Sequence, residues 1–174
     1  MASSLHTQFD RVAHDPLDPA KRYHVGIFVE KSRARQLGSL FHVTGDVIAA
    51  SGMRYEERLD CVPTASKTLH NITEIGRVHR DDYYSGRIYR VLAALPTPTK
   101  QQGINFWEPD PVTRRHEIIW TKENGERYGP GEQRRPVFKC NEWTHEYAVP
   151  TLRNEGILLS LDRIILHSYC VSSD

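Results

Sequence analysis

Few cysteines, no long hydrophobic run and almost no net charge characterise this sequence, and each shortage excludes a class of protein. Three cysteines, Cys61, Cys140 and Cys170, occur among 174 residues, and none belongs to a CxxC pair. The odd number argues against a disulfide framework and predicts a reducing compartment. The 23 lysines and arginines nearly balance the 22 aspartates and glutamates, which leaves a net charge of +1. Such a chain has no strong field for holding nucleic acid or an anionic membrane.

No stretch of the chain is apolar enough to suggest membrane insertion or export. The longest apolar clusters, Val47–Ala50 and Ile157–Leu161, are far shorter than the ~20 residues of a membrane-spanning helix. The N-terminal segment Met1–Pro19 is polar, without the apolar core of a signal peptide or the arginine-rich composition of a transit peptide. These features predict a cytoplasmic protein without a membrane span.

Length and composition predict one globular domain. Hydrophobic residues make up 39% and charged residues 26% of the chain, which is ordinary for a globular protein. The chain is also too short for two independent cores. Residues 1–20 are rich in Asp and Pro and show no periodicity, so we expect a flexible arm there. The domain would cover residues 21–174, with a loop-rich excursion over 99–136.

Residue patterns predict strands first and helices later. Apolar residues alternate along Tyr23–Val29 and Ser39–Thr44, which is typical of half-buried strands. The order of strands and helices predicts an α+β fold with an antiparallel sheet and packed helices. The further predicted segments are strands Tyr55–Val62 and Asn71–Val78, a helix ending at Leu95, a strand Glu117–Thr121, a helix Phe138–Asn154 and a strand Ile157–Val171.

Two histidines occupy matching positions on the first two predicted strands. If those strands form a hairpin that pairs Gly26 with His42, then His24 and His42 are diagonal neighbours on one face, roughly 5–8 Å apart. A one-residue slip would send them to opposite faces. The alternative for each histidine is a hydrogen-bonded core or surface position without a chemical role.

Cys140 opens a predicted helix and is the strongest candidate nucleophile. Free backbone N–H groups and the positive end of the helix dipole stabilise a thiolate there, and the cation of Lys139 would add to this effect. The same N–H groups can stabilise an oxyanion during attack on an acyl carbon. A neutral imidazole within reach would complete a nucleophile–base pair. The alternative is a small buried hydrophobic residue at a helix start.

Three short motifs occur in an order that matches a known group of enzymes. They are HVGIFVE from His24, GSLFHV from Gly38 and CNEW from Cys140. Together they resemble the lecithin:retinol acyltransferase-like group, a circularly permuted branch of the NlpC-type papain-like thiol enzymes. They are also similar to uncharacterised fungal proteins of that kind. The resemblance covers about residues 22 to 159 and implies a permuted papain-like fold.

The resemblance also implies a role for each candidate residue. Cys140 would be the nucleophile, His24 the base, and His42 the second histidine that orients the base. Two positions depart from the family pattern, since Val25 replaces the usual tryptophan and Lys139 replaces an asparagine.

The predicted function is therefore thiol-dependent hydrolysis or transfer of an acyl group. The partner would be a small-molecule or peptide substrate with an amide, isopeptide or ester bond, and no cofactor is expected. Two alternatives remain open at this point. The chain could be a non-catalytic papain-like binding module, or His24, His42 and Cys140 could form a zinc site, since imidazole and thiolate are both zinc ligands.

Overall fold

Five strands form an antiparallel sheet at the centre of the protein. The computed structural model describes residues 2–11, 15–18 and 22–160. The strands lie in the order β4-β3-β2-β1-β5, and each neighbouring pair is antiparallel. The α+β class with an antiparallel sheet is therefore confirmed. The strands are β1 (Ala2–Arg11), β2 (Tyr23–Ser32), β3 (Leu37–Gly45), β4 (Met53–Cys61) and β5 (Leu69–His79).

The first strand overturns one prediction from the sequence. β1 lies inside the sheet, where Leu5 pairs with Val29 of β2 on one side and with Gly76 of β5 on the other. The flexible arm expected over residues 1–20 is therefore wrong for Ala2–Arg11. The neighbouring strands supply hydrogen bonds to both edges of β1, which a local sequence pattern does not reveal.

The predicted helix ending at Leu95 is divided into two short helices. α1 (Arg80–Tyr84) and α2 (Arg87–Ala93) are separated by Gly86, whose φ of 70° lies in the left-handed region. Glycine adopts this conformation without a steric penalty, and a helix commonly ends there. The predicted apolar stripe nevertheless faces inward on α2, where its buried members are Ile88 and Leu92.

A helical run begins at Cys140, two residues after the predicted start at Phe138. It consists of α3 (Cys140–Glu142), a π-helical segment (Trp143–Ala148) and α4 (Val149–Asn154). Pro150 lies in the first turn of α4, where its missing N–H is tolerated. The run therefore continues past the proline instead of ending there.

The excursion over residues 99–136 contains a small second sheet. Its strands, β6 (Gln102–Ile104) and β7 (Ile118–Trp120), pair antiparallel, and β7 confirms the strand predicted around Glu117–Thr121. The strand predicted over Ile157–Val171 lies mostly outside the described residues. Within the described part, no helix is long and apolar enough to cross a membrane.

The two faces of the central sheet differ in chemistry. One face packs against α2 and the C-terminal helical run, and we call it the apolar face. The other face carries polar side chains and one wall of a cavity, and we call it the cavity face. The β4–β5 connection, residues 62–68, contributes another wall of that cavity. Fully buried residues of the apolar face are Ile27, Val29, Phe41 and Val43.

Candidate active site

Strands β2 and β3 bring His24 and His42 to the same side of the sheet. Their ladder pairs Phe28 with Leu40, and the same register places Gly26 opposite His42. A Cβ atom added to Gly26 would lie 3.0 Å from the Cβ of His42. The register expected from the sequence is thus present, and both histidines lie on the cavity face.

The two imidazoles are hydrogen-bonded to each other. Nε2 of His24 lies 2.7 Å from Nδ1 of His42, and the rings are inclined at 77°. Gly26 makes room for this pair, because a Cβ there would also lie 2.8 Å from Cδ1 of Leu40. One nitrogen donates and the other accepts, so the tautomer of each ring determines that of the other.

Burial keeps both histidines neutral near pH 7. It lowers the pKa of His42 to about 4, with the neighbouring His24 also lowering it and Glu56 opposing the shift. Burial likewise lowers the pKa of His24, and the charge of Arg58 acts in the same direction. Each ring therefore carries one N–H and one lone pair, as a general base requires.

The start of the helical run fills a gap between β2 and β3. The β2–β3 ladder begins at Ile27, and the backbone of Tyr23 and Val25 bonds to the helix start instead. The Asn141 amide donates to the Tyr23 carbonyl at 2.8 Å, and the Thr144 hydroxyl donates to the Val25 carbonyl at 3.3 Å. The N–H of Val25 donates to the sulfur of Cys140.

Cys140 thus lies beside the histidine-bearing strand but is not joined to the histidines. Its side chain packs against the core cluster of the apolar face. Among the described residues, no hydrogen bond connects its sulfur to His24 or His42. Of the three site residues predicted from the sequence, the structure brings the two histidines into contact. The thiol of Cys140 instead bonds to the backbone of Val25, the residue that follows His24.

The expected lowering of the thiol pKa is wrong for this arrangement. Burial raises the pKa of Cys140, the carboxylate of Glu142 adds to this effect, and the N–H groups of Val25 and Asn141 oppose it. The ammonium group of Lys139 is hydrogen-bonded to Asp15. Because desolvation outweighs the helix-start N–H groups, Cys140 is a neutral thiol near pH 7.

A cavity of about 690 Å³ opens on the cavity face beside the histidine pair. Its walls come from β1, β2, β3, β4 and the β4–β5 connection. Both histidines line it, so a bound molecule would contact the imidazoles. Charged or polar lining residues are Gln8, Asp10, His24, His42, Thr44, Arg58, Asp60, Cys61, Ser66 and Thr68.

Cys61, the other cysteine in the described part of the chain, does not form a second candidate thiol site. Cys61 lines the cavity, and its sulfur donates to the Arg58 carbonyl at 3.3 Å, while burial raises the pKa of the thiol. Cys170 lies outside the described residues. Across the described ranges, no group of three or more His, Cys, Asp or Glu side chains is arranged to hold a metal ion. The zinc alternative therefore lacks a suitable ligand set there.

Two neighbours of the histidine pair were missed in the sequence. Glu56 pairs directly with His42 across β3 and β4, and Arg58 pairs with Leu40. Both belong to the cavity face, because they are two residues apart on one strand. The alternating charges of Arg54, Glu56 and Arg58 could have indicated a polar face on β4.

The chain was also compared with known proteins. A protein family described as a family of unknown function (DUF6540) matches residues 13–159. The chain belongs to this family. No curated protein and no solved structure gives a match. Strand β1 precedes the segment that the family match covers.

Proposed function

We propose that this member of the family is a thiol-dependent acyl hydrolase or acyltransferase with a circularly permuted papain-like fold. Cys140 would attack the acyl carbon, His24 would act as base and then acid, and His42 would orient His24. The observation that carries the proposal is the 2.7 Å bond between His24 Nε2 and His42 Nδ1. A pair of bonded histidines supplies a base and a group that orients it, the two parts that a nucleophilic thiol needs beside it.

As a base, His24 must keep a lone pair on Nδ1. This condition holds when its Nε2–H donates to Nδ1 of His42, because a neutral imidazole carries one N–H. His42 must then carry its own proton on Nε2. No hydrogen bond to Nδ1 of His24 is present among the described residues, so that nitrogen is available to a thiol.

Glu56 favours this tautomer. Nε2 of His42 is buried and has no hydrogen-bond partner within the described ranges, where Oε1 of Glu56 lies 3.8 Å away. A proton on Nε2 faces an attractive negative charge, whereas a lone pair there would face a repulsive one. Glu56 would thus act as a positioning residue that biases His42, and through it His24, towards the active tautomer.

The chemistry requires the thiol of Cys140 to leave the Val25 amide and reach Nδ1 of His24. His24 then removes the thiol proton as the sulfur attacks the acyl carbon, and passes it to the departing amine or alcohol. The backbone N–H of Cys140 would stabilise the oxyanion. Water or another nucleophile attacks the resulting thioester, with His24 again accepting a proton, and the free thiol is restored.

A search for an acyl-enzyme tests this proposal. The purified protein is incubated with small thioesters, activated esters and amides, and the cysteine-containing peptides are mapped by mass spectrometry. We expect an acyl adduct on Cys140 that is lost to water or to an added amine. Cys140→Ala should abolish adduct and turnover, whereas Cys61→Ala should leave both unchanged. Equal adduct formation on Cys61 and Cys140, unaffected by His24→Ala, would overturn the proposal.

A second candidate function is a non-catalytic binding module. It is favoured by the raised pKa of the Cys140 thiol and by the cavity, which lies over the histidines. This alternative requires that Cys140→Ala retain the full biological activity of the chain. The thiol mechanism requires the opposite result, so one variant separates the two.

A further inference from the structure

We propose that the cavity binds a small organic molecule bearing a carboxylate or phosphate group, which Arg58 holds beside the histidine pair. As a substrate class, this assignment rests on the proposed acyl chemistry. Binding of the anion itself does not require Cys140. The argument depends on the charges that line the cavity, on the position of Arg58 and on the size of the space.

The acidic residues of the lining are already occupied. The carboxylate of Asp10 accepts hydrogen bonds from Gln8, Ser66 and Thr68, at 2.8, 3.3 and 3.1 Å respectively. Asp60 forms an ion pair at 3.2 Å with Lys31. The donors to Asp10 are neutral, so its charge persists, but hydrogen bonds already hold both of its carboxylate oxygens. With both histidines neutral, Arg58 is the cation that lines the cavity.

The guanidinium of Arg58 has no ion pair or hydrogen bond among the described residues. Its partner across the β3–β4 ladder is Leu40, so it projects from the cavity face. Its charge lowers the pKa of His24 and of His42, which places it within electrostatic reach of both rings. A free guanidinium presents a planar fork of N–H donors that fits a carboxylate or phosphate.

The size and remaining walls of the cavity define the rest of the ligand. A volume of about 690 Å³ is typical of sites for small molecules. Apolar walls alternate with the polar ones, so a compact anion with a short apolar portion suits the space. The apolar lining residues are Leu40, Leu59, Val62, Pro63 and Ala65.

Cys61 provides a reporter inside the cavity. In Cys140→Ala protein, the rate of Cys61 alkylation is measured with iodoacetate, an anion, and with iodoacetamide, its neutral counterpart. We expect Arg58→Gln to lower the iodoacetate-to-iodoacetamide rate ratio about threefold or more, an effect of the order of one local charge interaction. Because both reagents attack the same thiolate, any change in the pKa of Cys61 cancels in the ratio.

Arg54→Gln is the matched control. Arg54 lies on the same strand and face, but it is paired with Glu56 and does not line the cavity. Its substitution removes an equal charge and should leave the ratio nearly unchanged. A ratio that Arg58→Gln does not alter, or that both variants lower equally, would overturn the assignment.

Protection of Cys61 identifies the class of anion. N-acyl amino acids with a free carboxylate, their carboxamides and simple phosphate monoesters are each added before iodoacetamide. Protection by the carboxylates, lost in Arg58→Gln, supports a carboxylate ligand, and stronger protection by the phosphates supports a phosphate ligand. Equal protection by the neutral carboxamides contradicts the proposal. Since Cys140 is absent from this protein, these outcomes are independent of the proposed thiol chemistry.

Discussion

The apolar face and the cavity face are built from alternate residues of the same strands. On β2, Ile27 points into the core and is fully buried, whereas His24 lines the cavity. On β3, Val43 belongs to the core cluster, whereas the adjacent His42 is bonded to His24. Burying one face against helices stabilises the sheet. The other face can then hold buried polar groups whose desolvation costs stability.

Cys140 stands between these two environments. It packs against the core, yet its sulfur accepts a hydrogen bond from the residue that follows His24. Its raised pKa is a property of the apolar side, and the proposed role as nucleophile belongs to the cavity side. The comparison teaches that a helix-start position alone does not activate a thiol, because burial can outweigh the local N–H groups.

The largest effect expected is on chemistry at the cavity face. His24→Ala should lower the rate of acyl transfer by ~10²–10⁴-fold, because proton transfer to and from the reacting atoms is lost. Steady-state rates per folded molecule, with the acyl donor found by adduct mapping, measure this change. His6→Ala is the control, since His6 is on the same face but outside the cavity lining. Equal losses in both variants would refute the special role of His24.

Ile27 lies three residues after His24 on the same strand. Ile27→Ala should lower the stability of the fold and leave the chemistry unchanged. We expect a loss of about 2–5 kcal/mol in the free energy of unfolding, because a fully buried side chain is removed from the core. The rate per folded molecule should stay close to that of the unmodified protein. Urea denaturation and activity at low urea measure the two quantities. A stable but inactive Ile27→Ala variant would contradict the assignment of stability to the apolar face and of chemistry to the cavity face.

The histidine pair should make stability depend on pH. The pKa of His42 is lowered to about 4 from an ordinary value of 6.5. Between these two pH values the unfolded chain is protonated at His42 and the folded chain is not. This contribution is fully present above pH 6.5 and is lost as the pH falls towards 4, by at most about 3 kcal/mol. His42→Gln should flatten the stability profile in that window, as followed by urea denaturation. An unchanged slope would contradict the assignment.

Gly26→Ala should disturb the cavity face through its backbone position. The added Cβ would lie 2.8 Å from Cδ1 of Leu40 and 3.0 Å from Cβ of His42, so the Leu40 side chain must move and β3 must shift slightly at His42. We expect a loss of about 1–3 kcal/mol in unfolding free energy, together with weaker coupling between the imidazoles in nitrogen NMR spectra. Gly129→Ala is the control, because its Cβ would have an ordinary contact at 3.6 Å. Similar losses in both would point to a general effect of the added methyl group.

The smallest effect concerns Glu56. Glu56→Ala should lower the rate about two- to fivefold, since the carboxylate is partly exposed and its charge is screened. More tellingly, nitrogen NMR should show a reduced fraction of His42 with its proton on Nε2. The control is Glu57→Ala, which removes the adjacent acid, a residue of the opposite face. If His42 carried its proton on Nδ1 in the unmodified protein, Glu56 would have no such positioning role.

Local patterns were sufficient for the parts of the fold that repeat along the chain. Alternation along β2 and β3 predicted two faces, and the structure has the one of the possible registers that brings His24 and His42 together. The helix start at Cys140 was also predictable from its flanking residues. β1 was not, because its mostly polar residues show no apolar periodicity. It becomes a strand through hydrogen bonds to two distant neighbours.

The sequence by itself determined the α+β class, the alternation that places His24 and His42 on strand faces, and the position of Cys140 near a helix start, whereas the strand register that pairs the histidines came from the structure. These properties follow from residues close together in the chain, whose periodicity indicates which face each occupies. Only the tertiary structure decided that the thiol is buried beside Val25 and that Glu56 and Arg58 adjoin the histidines. The pKa of a thiol or an imidazole depends on its desolvation and on charges that are distant in the sequence. Both are fixed only after the strands and helices have packed.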